Sequence, residues 1–292
     1  MDFTVVVPTY NRPDRLRACL AALAALDYAR TGFEVIVADD GGTHDLAPVV
    51  EPFRRQIDVR LLVEPHRGPA STRNAGAEAA RGRFVAFTDD DCAPARDWLR
   101  RLREAFERMP GHMVGGHTIN AIEGHLCPAA SQILIDYLYA YFNRDPTDAQ
   151  FLVSCNVAVP ADAYRELGGF NPEFPDAAAE DRDLCDRWRA RGLRMAYVPD
   201  AVVYHRHALS LASFWRQHLG YGRGAHRFHR ARVQRSKTPF KVEPLTFYSR
   251  LILHPFKMGA PQAAQLSALL ALSQVANVSG FLAEWLAELR RR

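Results

Sequence analysis

A mainly parallel α/β sheet covered by helices on both faces is what the first hundred residues predict. Short runs rich in Val, Ile and Phe alternate with segments of helical spacing, and three of those runs lead straight into polar clusters. Residues 3–7, 33–38, 59–63 and 84–87 are too short for helices and read as buried strands. Between them, residues 13–26 begin with Pro13 and place Leu16, Leu20 and Leu23 on one face, and helices over 45–55 and 69–81 follow. Repeated units of this kind join through right-handed crossovers.

Beyond a helix over 97–109 the pattern loosens. The spacing predicts a strand over 113–119, a helix over 128–142 whose Tyr137, Tyr139, Tyr141 and Phe142 fall partly outside one stripe, and a strand over 151–159. A short helix over 161–167 ends at Gly168-Gly169, and a helix over 177–191 ends at Gly192. Strands over 194–198 and 201–205 precede a helical stretch, 209–235, interrupted at Gly220, Gly222 and Gly224, and a helix-like tail runs over 261–290.

With 48% hydrophobic and 24% charged residues the 292-residue chain is globular, which excludes disordered, collagen-like and low-complexity classes. Five cysteines, at 19, 92, 127, 155 and 185, form no CxxC and are odd in number, against a disulfide framework or structural zinc. A reducing, cytosolic setting is expected. Cys155 has no paired base in the sequence and reads as a buried structural thiol. No charged and apolar leader precedes the first strand, and no uninterrupted apolar run of spanning length is found.

The net charge of +4 averages opposed parts. Residues 1–205 carry −7, whereas 206–257 carry +10, with Glu243 the one acid there. Such asymmetry points to an anionic partner surface.

The acids of the first part fall at strand ends: Pro8-Thr9-Tyr10-Asn11 after the first strand, Asp39-Asp40-Gly41-Gly42 after the second, and Thr88-Asp89-Asp90-Asp91 after residues 84–87. In an open parallel sheet ligands bind outside the carboxyl ends of the strands, so these groups converge on one crevice. Crowded carboxylates repel, and a hard divalent cation with substrate phosphates resolves the repulsion. A lone DxD or Asp-Gly turn is an ordinary loop signal; the joint occurrence carries the argument. No GxGxxG or P-loop is present, which disfavours dinucleotide and P-loop nucleotide binding.

These residues resemble family 2 glycosyltransferases of the GT-A fold. The matching motifs are Val5-Val6-Val7-Pro8-Thr9-Tyr10-Asn11-Arg12, Val37-Ala38-Asp39-Asp40-Gly41-Gly42, Gly68 with Arg73-Asn74-Ala75-Gly76, and Phe84-Val85-Ala86-Phe87-Thr88-Asp89-Asp90-Asp91. Downstream, Cys155-Asn156, Gly168-Gly169-Phe170, Glu180-Asp181 and His205 continue the match, which covers roughly 3–207. The resemblance implies a Rossmann-type open mixed sheet, with a nucleotide-binding half at 1–110 and an acceptor half at 111–207, followed by a helical C-terminal extension over 208–292. It implies inverting transfer from a UDP-, GDP- or dTDP-sugar to an acceptor hydroxyl on a glycan or lipid-linked saccharide.

Carried over residue by residue, the resemblance implies that Pro8, Thr9 and Tyr10 line the nucleoside pocket, that Asp40 meets the base, and that Arg73 reaches the nucleotide. Asp39 is either a neighbour of the base or an inward structural acid. Asp89 is expected near the ribose and the metal, and Asp91 on the metal and diphosphate. Asp90 points the other way along an extended segment and ranks below both. Asn156, with Cys155, is expected to shape the donor-sugar side. His205 completes the shell of an Mn²⁺ or Mg²⁺ ion, with His207 as the alternative.

Asp181 shares the apolar face of its helix with Leu184 and Trp188, so its carboxylate is expected partly desolvated at the crevice wall, as suits a general base. Glu180 lies beside it for the acceptor. Helix-dipole complementation would explain both acids equally well, and the resemblance is what favours catalysis.

The basic stretch is interleaved with Phe214, Trp215, Tyr221, Phe228, Phe240, Phe247, Tyr248 and Phe256. No nucleic-acid-binding module accompanies it. Basic and aromatic residues with the apolar tail suit peripheral attachment to an anionic inner membrane face, or a homodimer through the C-terminal helices. A non-catalytic scaffold at that surface is the alternative function, and loss of Asp91 or Asp181 would mark it; both are present.

Overall fold

The computed structural model describes residues 1–236 and 242–291. Lys237, Phe240 and Lys241 of the basic stretch lie outside the described residues. In chain order the elements are β1 (Phe3–Thr9), α1 (Pro13–Ala24), β2 (Phe33–Asp39), α2 (Ala47–Val50), β3 (Val59–Val63), α3 (Pro69–Glu78), β4 (Phe84–Phe87), β5 (Cys92–Pro94), α4 (Trp98–Arg108), β6 (Met113–Asn120), α5 (Leu126–Phe142), β7 (Val157–Pro160), α6 (Ala161–Leu167), α7 (Glu180–Ala190), β8 (Met195–His205), α8 (Leu211–Ser236), α9 (Leu245–Lys257) and α10 (Ala263–Arg291).

Eight strands form one sheet in the order β3-β2-β1-β4-β7-β6-β8-β5. The pairs β1–β2, β1–β4, β2–β3 and β6–β8 are parallel, whereas β7 runs antiparallel to β4 and β6, and β5 antiparallel to β8. Alternation along β1 sends Phe3, Val5 and Val7 to the face covered by α1 and α4, and Val6 to the face covered by α3, α6 and α7. Gly76 is what lets α3 sit close to β1: a Cβ there would fall 2.5 Å from Val6 Cγ1. That approach carries Arg73, one turn earlier, to the carboxyl edge of the sheet.

The structure changes several boundaries. The helix expected over 45–55 is only α2 with a 3₁₀ turn, Glu51–Phe53. Of the strand expected over 151–159 only β7 pairs, because Ser154–Asn156 forms a 3₁₀ turn. The two strands expected at 194–198 and 201–205 are one, β8. Pro199 sits where the register shifts opposite Gly116/His117, an irregularity that admits proline inside a continuous strand.

The helical layer departs further from expectation. α8 runs unbroken through its three glycines, because two of them serve close packing. A Cβ on Gly222 would meet Asn277 O of α10 at 1.9 Å, and one on Gly224 would meet Ala178 O at 2.3 Å. From the other side, Gly280 of α10 approaches Leu219 O equally closely, at 2.0 Å. α9 has no counterpart in the sequence reading, since Pro255 inside it masks the helical spacing. It is held over α5 by hydrogen bonds from Tyr137 Oη to Phe247 O and from Tyr141 Oη to Glu243. α10 carries a window of mean hydropathy 1.5, long and apolar enough to cross a membrane, one-third buried against its neighbours. The run is not uninterrupted, as read from the sequence; scattered Ser, Gln and Asn break it and still leave its mean hydropathy at 1.5.

Candidate active site

Thr9 at the end of β1, Asp39 and Asp40 at the end of β2, and Asp89, Asp90 and Asp91 just past β4 meet at one edge of the sheet, as the crossover topology requires. Pro8 is half-buried within β1, in register with Ala38, and Thr9 is buried beside Asp39. Tyr10 is exposed and stacks on His66, ring centroids 4.4 Å apart at 22°. His66 went unnoticed in the sequence because it lies in a loop outside every motif.

Both acids after β2 are buried and committed to loops. Asp39 accepts from Gly42 N at 3.3 Å, and burial raises its pKa. Asp40 accepts from Arg67 N at 2.8 Å and Gly68 N at 3.2 Å and pairs with His66 Nδ1 at 2.8 Å, so it braces the loop that starts α3. Asn11 performs the same service opposite: its Oδ1 accepts from Thr43 N at 2.7 Å.

The three acids after β4 separate by direction. Asp90 turns inward, 2% exposed, accepting from Thr9 Oγ1 at 2.7 Å; burial pushes its pKa up to about 6 against the pull of Thr9 and Arg12. Asp89, half-buried, is held by Arg73 Nη2 at 2.8 Å. Asp91 is buried yet meets His205 Nε2 at 3.1 Å, His207 Nδ1 at 3.6 Å and Arg15 Nη1 at 2.9 Å. Burial opposes ionisation, but the histidine hydrogen bonds hold Asp91 well below the usual carboxylate range. In return, although burial works against its charge, His205 is raised to about 9 by Asp91.

Asp91, His205 and His207 each offer one ligand atom, all within 4.8 Å of one another. One carboxylate with two imidazoles suits a divalent ion such as Mn²⁺, so the donor set fits the expected metal. The cluster includes His207 along with His205, and it leaves out Asp89. Asp89 is paired with Arg73 instead.

Arg73 is itself 2% exposed. It joins Asp89 to Glu180 Oε1, 3.1 Å from its Nη1, and its guanidinium lies over the Phe170 ring, 5.4 Å from the centroid. Burial lowers its pKa, but Asp89 and Glu180 more than compensate and keep it charged. The expected nucleotide ligand is thus also the strut between the strand-end acids and α7.

α7 begins at Glu180, three residues later than expected, so Glu180 and Asp181 occupy its first turn. Ala179 precedes them at φ 70°, held from behind by the Gly224 contact to Ala178. Glu180 is buried and Asp181 half-buried; burial, then their mutual repulsion for Glu180, raises both pKa values. Among the described residues Asp181 Oδ1 accepts only from the adjacent Arg182 N, at 2.7 Å, and its carboxylate lines the crevice.

Asn156 does not line the donor side. It is fully buried, accepting from Trp98 Nε1 at 2.9 Å and donating to His117 O and Ala201 O at 3.0 and 2.8 Å. The 3₁₀ turn points its amide into the sheet, where it satisfies carbonyls opened by the β8 irregularity. Cys155 is buried, its Sγ 3.8 Å from Thr118 Oγ1.

Four arginines of the basic stretch, Arg227, Arg230, Arg232 and Arg235, are paired inside the molecule. Arg235 pairs with Asp183 at 3.0 Å and with Asp186, Arg232 with Asp186 at 3.2 Å, and Arg227 with Asp176 and Glu284, both at 3.2 Å. Asp183, fully buried, also accepts from Arg187 at 2.7 Å. The expected basic docking surface is reduced to Arg206, Arg216, Arg223, Arg250 and Lys257, which make no ion pair among the described residues.

A mixed, helix-covered sheet with acids at its carboxyl edge and an acidic first turn facing them has the architecture of the GT-A fold. Residues 4–168 match the model of glycosyl transferase family 2. Pre-mycofactocin glycosyltransferase of Mycobacterium tuberculosis is 31% identical over 77% of this chain, which spans about half that relative's length, 47%. Glycosyltransferase AglE of Haloferax volcanii is 30% identical over 39% of the chain and 38% of the relative. Among solved structures, mannosyltransferase PcManGT of Pyrobaculum calidifontis, in complex with GDP-Man and Mn²⁺, superposes with a TM-score of 0.66 at 19% identity, covering 94% of this chain and 86% of its own. Staphylococcus aureus TarS in complex with UDP-GlcNAc gives 0.57 at 17% identity, over 96% and 89%. The chain belongs to glycosyl transferase family 2.

Proposed function

We propose that the protein moves a sugar from a nucleoside diphosphate-sugar to an acceptor hydroxyl with inversion at the anomeric carbon, using Asp181 as the base. The observation that carries this reading is the convergence of Asp181 and Glu180 with Arg73, Asp89, His205 and His207 on one crevice. The relatives support the donor class, since PcManGT is described with GDP-Man and TarS with UDP-GlcNAc.

The nucleoside lies along Pro8, Thr9 and the Tyr10–His66 stack, with Asp40 bracing the loop beneath it. Asp89 and Arg73 face the ribose and diphosphate. Asp91, His205 and His207 would hold a divalent ion, which would supply charge neutralisation for the departing diphosphate. Asp181 takes the acceptor proton as the acceptor oxygen forms its bond to the anomeric carbon. The carbon–oxygen bond to the phosphate breaks in the same step, and the nucleoside diphosphate leaves with the electron pair. Glu180, fixed by Arg73, orients the acceptor. The exposed apolar residues of α10 rest on an inner membrane face.

A panel of nucleotide sugars with purified protein, with Mn²⁺ or with chelator, tests the reading by metal-dependent hydrolysis. Asp181→Asn is expected to lower kcat by about 10²–10⁴-fold while donor affinity holds; turnover close to wild type would remove Asp181 from the base role.

A further inference from the structure

Two arginines hold the acids that follow β4, and they hold them differently. Arg73 grips Asp89 from a buried position and forks to Glu180, so its guanidinium is fixed at both ends. Arg15 reaches Asp91 from the first turn of α1 through one contact, Nη1 to Oδ2 at 2.9 Å, and makes no other hydrogen bond or ion pair among the described residues. Its side chain is 40% exposed, whereas that of Asp91 is 4% exposed. The acid is built in, and the arginine is free to leave.

Which oxygen Arg15 takes is what gives the contact a function. Asp91 divides its carboxylate: Oδ1 meets His205 Nε2 at 3.1 Å, and Oδ2 meets Arg15 and, at 3.6 Å, His207 Nδ1. A divalent ion shared by Asp91, His205 and His207 has to draw on a carboxylate that already serves a guanidinium. Two cations at one carboxylate repel, and so close together they are little screened by salt. The arginine is also the weaker holder, because a contact through one nitrogen lacks the bidentate geometry that makes such pairs strong. Arg12 is not an equal competitor: it lies 3.9 Å from Asp91 and nearer, at 3.3 Å, to the inward-turned Asp90.

We propose that Arg15 is a displaceable counter-ion for Asp91: it holds the carboxylate between the two histidines, competes with the divalent ion for it, and yields when the ion binds. This rests on the metal assignment in the function proposed above and names the residue that sets the affinity of that ion. Arg15 acts through Asp91 and is therefore a positioning residue. The ion it competes with is held loosely enough to exchange.

The test is Mn²⁺ binding to the full chain, followed by electron paramagnetic resonance of the free ion at fixed pH and ionic strength, beside thermal unfolding in chelator and in saturating Mn²⁺. Arg15→Gln is expected to bind Mn²⁺ about tenfold more tightly than wild type, the size of one hydrogen bond between charged groups. In chelator the variant should melt below wild type. That gap should close when Mn²⁺ saturates both proteins, because the ion stabilises the variant by the larger amount. An arginine with a merely structural role would instead lower the midpoint with or without the ion and weaken Mn²⁺ binding. Arg17→Gln removes the same charge from α1 at a residue that pairs with Asp14, and it should shift Mn²⁺ affinity by less than about twofold. Affinity in Arg15→Gln equal to or weaker than wild type would overturn the proposal. So would an equal gain in Arg17→Gln, which would reduce the effect to the general field of the helix. Mn²⁺ bound by neither wild type nor Arg15→Gln would sink the metal assignment and this inference with it, whereas Mn²⁺ bound equally by both would sink the role of Arg15 alone.

Discussion

The carboxyl edge of the sheet and the helical layer beside it use charge in opposite ways. At the edge the charges are paired yet still line open space: Asp91 gathers two histidines and an arginine, Asp89 leans on Arg73, and Asp181 makes no ion pair among the described residues. In the helical layer four of the six arginines of α8 are paired within the chain, by Asp183 and Asp186 of α7, Asp176, and Glu284 and Glu288 of α10. A run of like charge in sequence therefore marks a crevice in one region and an internal seam in the other. What separates the two is whether the paired groups still face a cavity or close against another helix.

Arg73 belongs to both regimes and is the sharpest place to break the contrast. Arg73→Ala leaves Glu180 buried without its cation and is expected to cost about 3–5 kcal/mol of stability, read by urea unfolding, together with activity. Arg73→Lys keeps the charge but not the fork that reaches both carboxylates; it should recover part of the stability and little of the turnover.

The seam between α8 and α10 is tested by Gly280→Val, since even a Cβ there lies 2.0 Å from Leu219 O. Overpacking of this kind is expected to cost roughly 1–3 kcal/mol, seen as a lower thermal midpoint. Because α8 backs the turn before α7, kcat should fall with it. Unchanged turnover would mean that the helical layer does not hold the base.

The acid pair makes a pH prediction with two signs. Burial raises the pKa values of Glu180 and Asp181, so the base ionises only above the ordinary carboxylate value of about 4, and kcat should fall as pH drops through that higher range. Stability runs the other way: a carboxyl whose pKa is raised by folding stabilises the protonated fold, and that contribution is lost as pH rises through the folded pKa. Parallel pH–rate and pH–unfolding curves check this, and Glu180→Gln should flatten the stability slope. The smallest effect is expected for Arg165→Ala. Its partner Asp162 is exposed, so the loss should stay at or below about 1 kcal/mol and shrink in high salt.

Much of the edge was legible because strand ends follow directly from short apolar runs. The separation of Asp90 from its neighbours followed from extended geometry, and the structure turns it inward onto Thr9. His207 remained an alternative to His205 because alternation places both on one face without saying how far the chain bends toward Asp91. Asn156 was misplaced because a 3₁₀ turn reverses a side chain that a strand would have presented to the crevice. Arg15 and Trp98 carried no local signal at all, and Asp183 only its pairing with Arg187 one turn on, since their other partners lie dozens of residues away.

Periodicity and short motifs by themselves determined the parallel half of the sheet, the crevice at its carboxyl edge and the acids gathered there, because each depends on neighbours a few residues apart. The tertiary structure alone decided which arginines meet acids and that the glycines of α8 are contacts instead of breaks. These depend on how distant surfaces fit, and the free energy of a charge or a glycine is set by what packs against it.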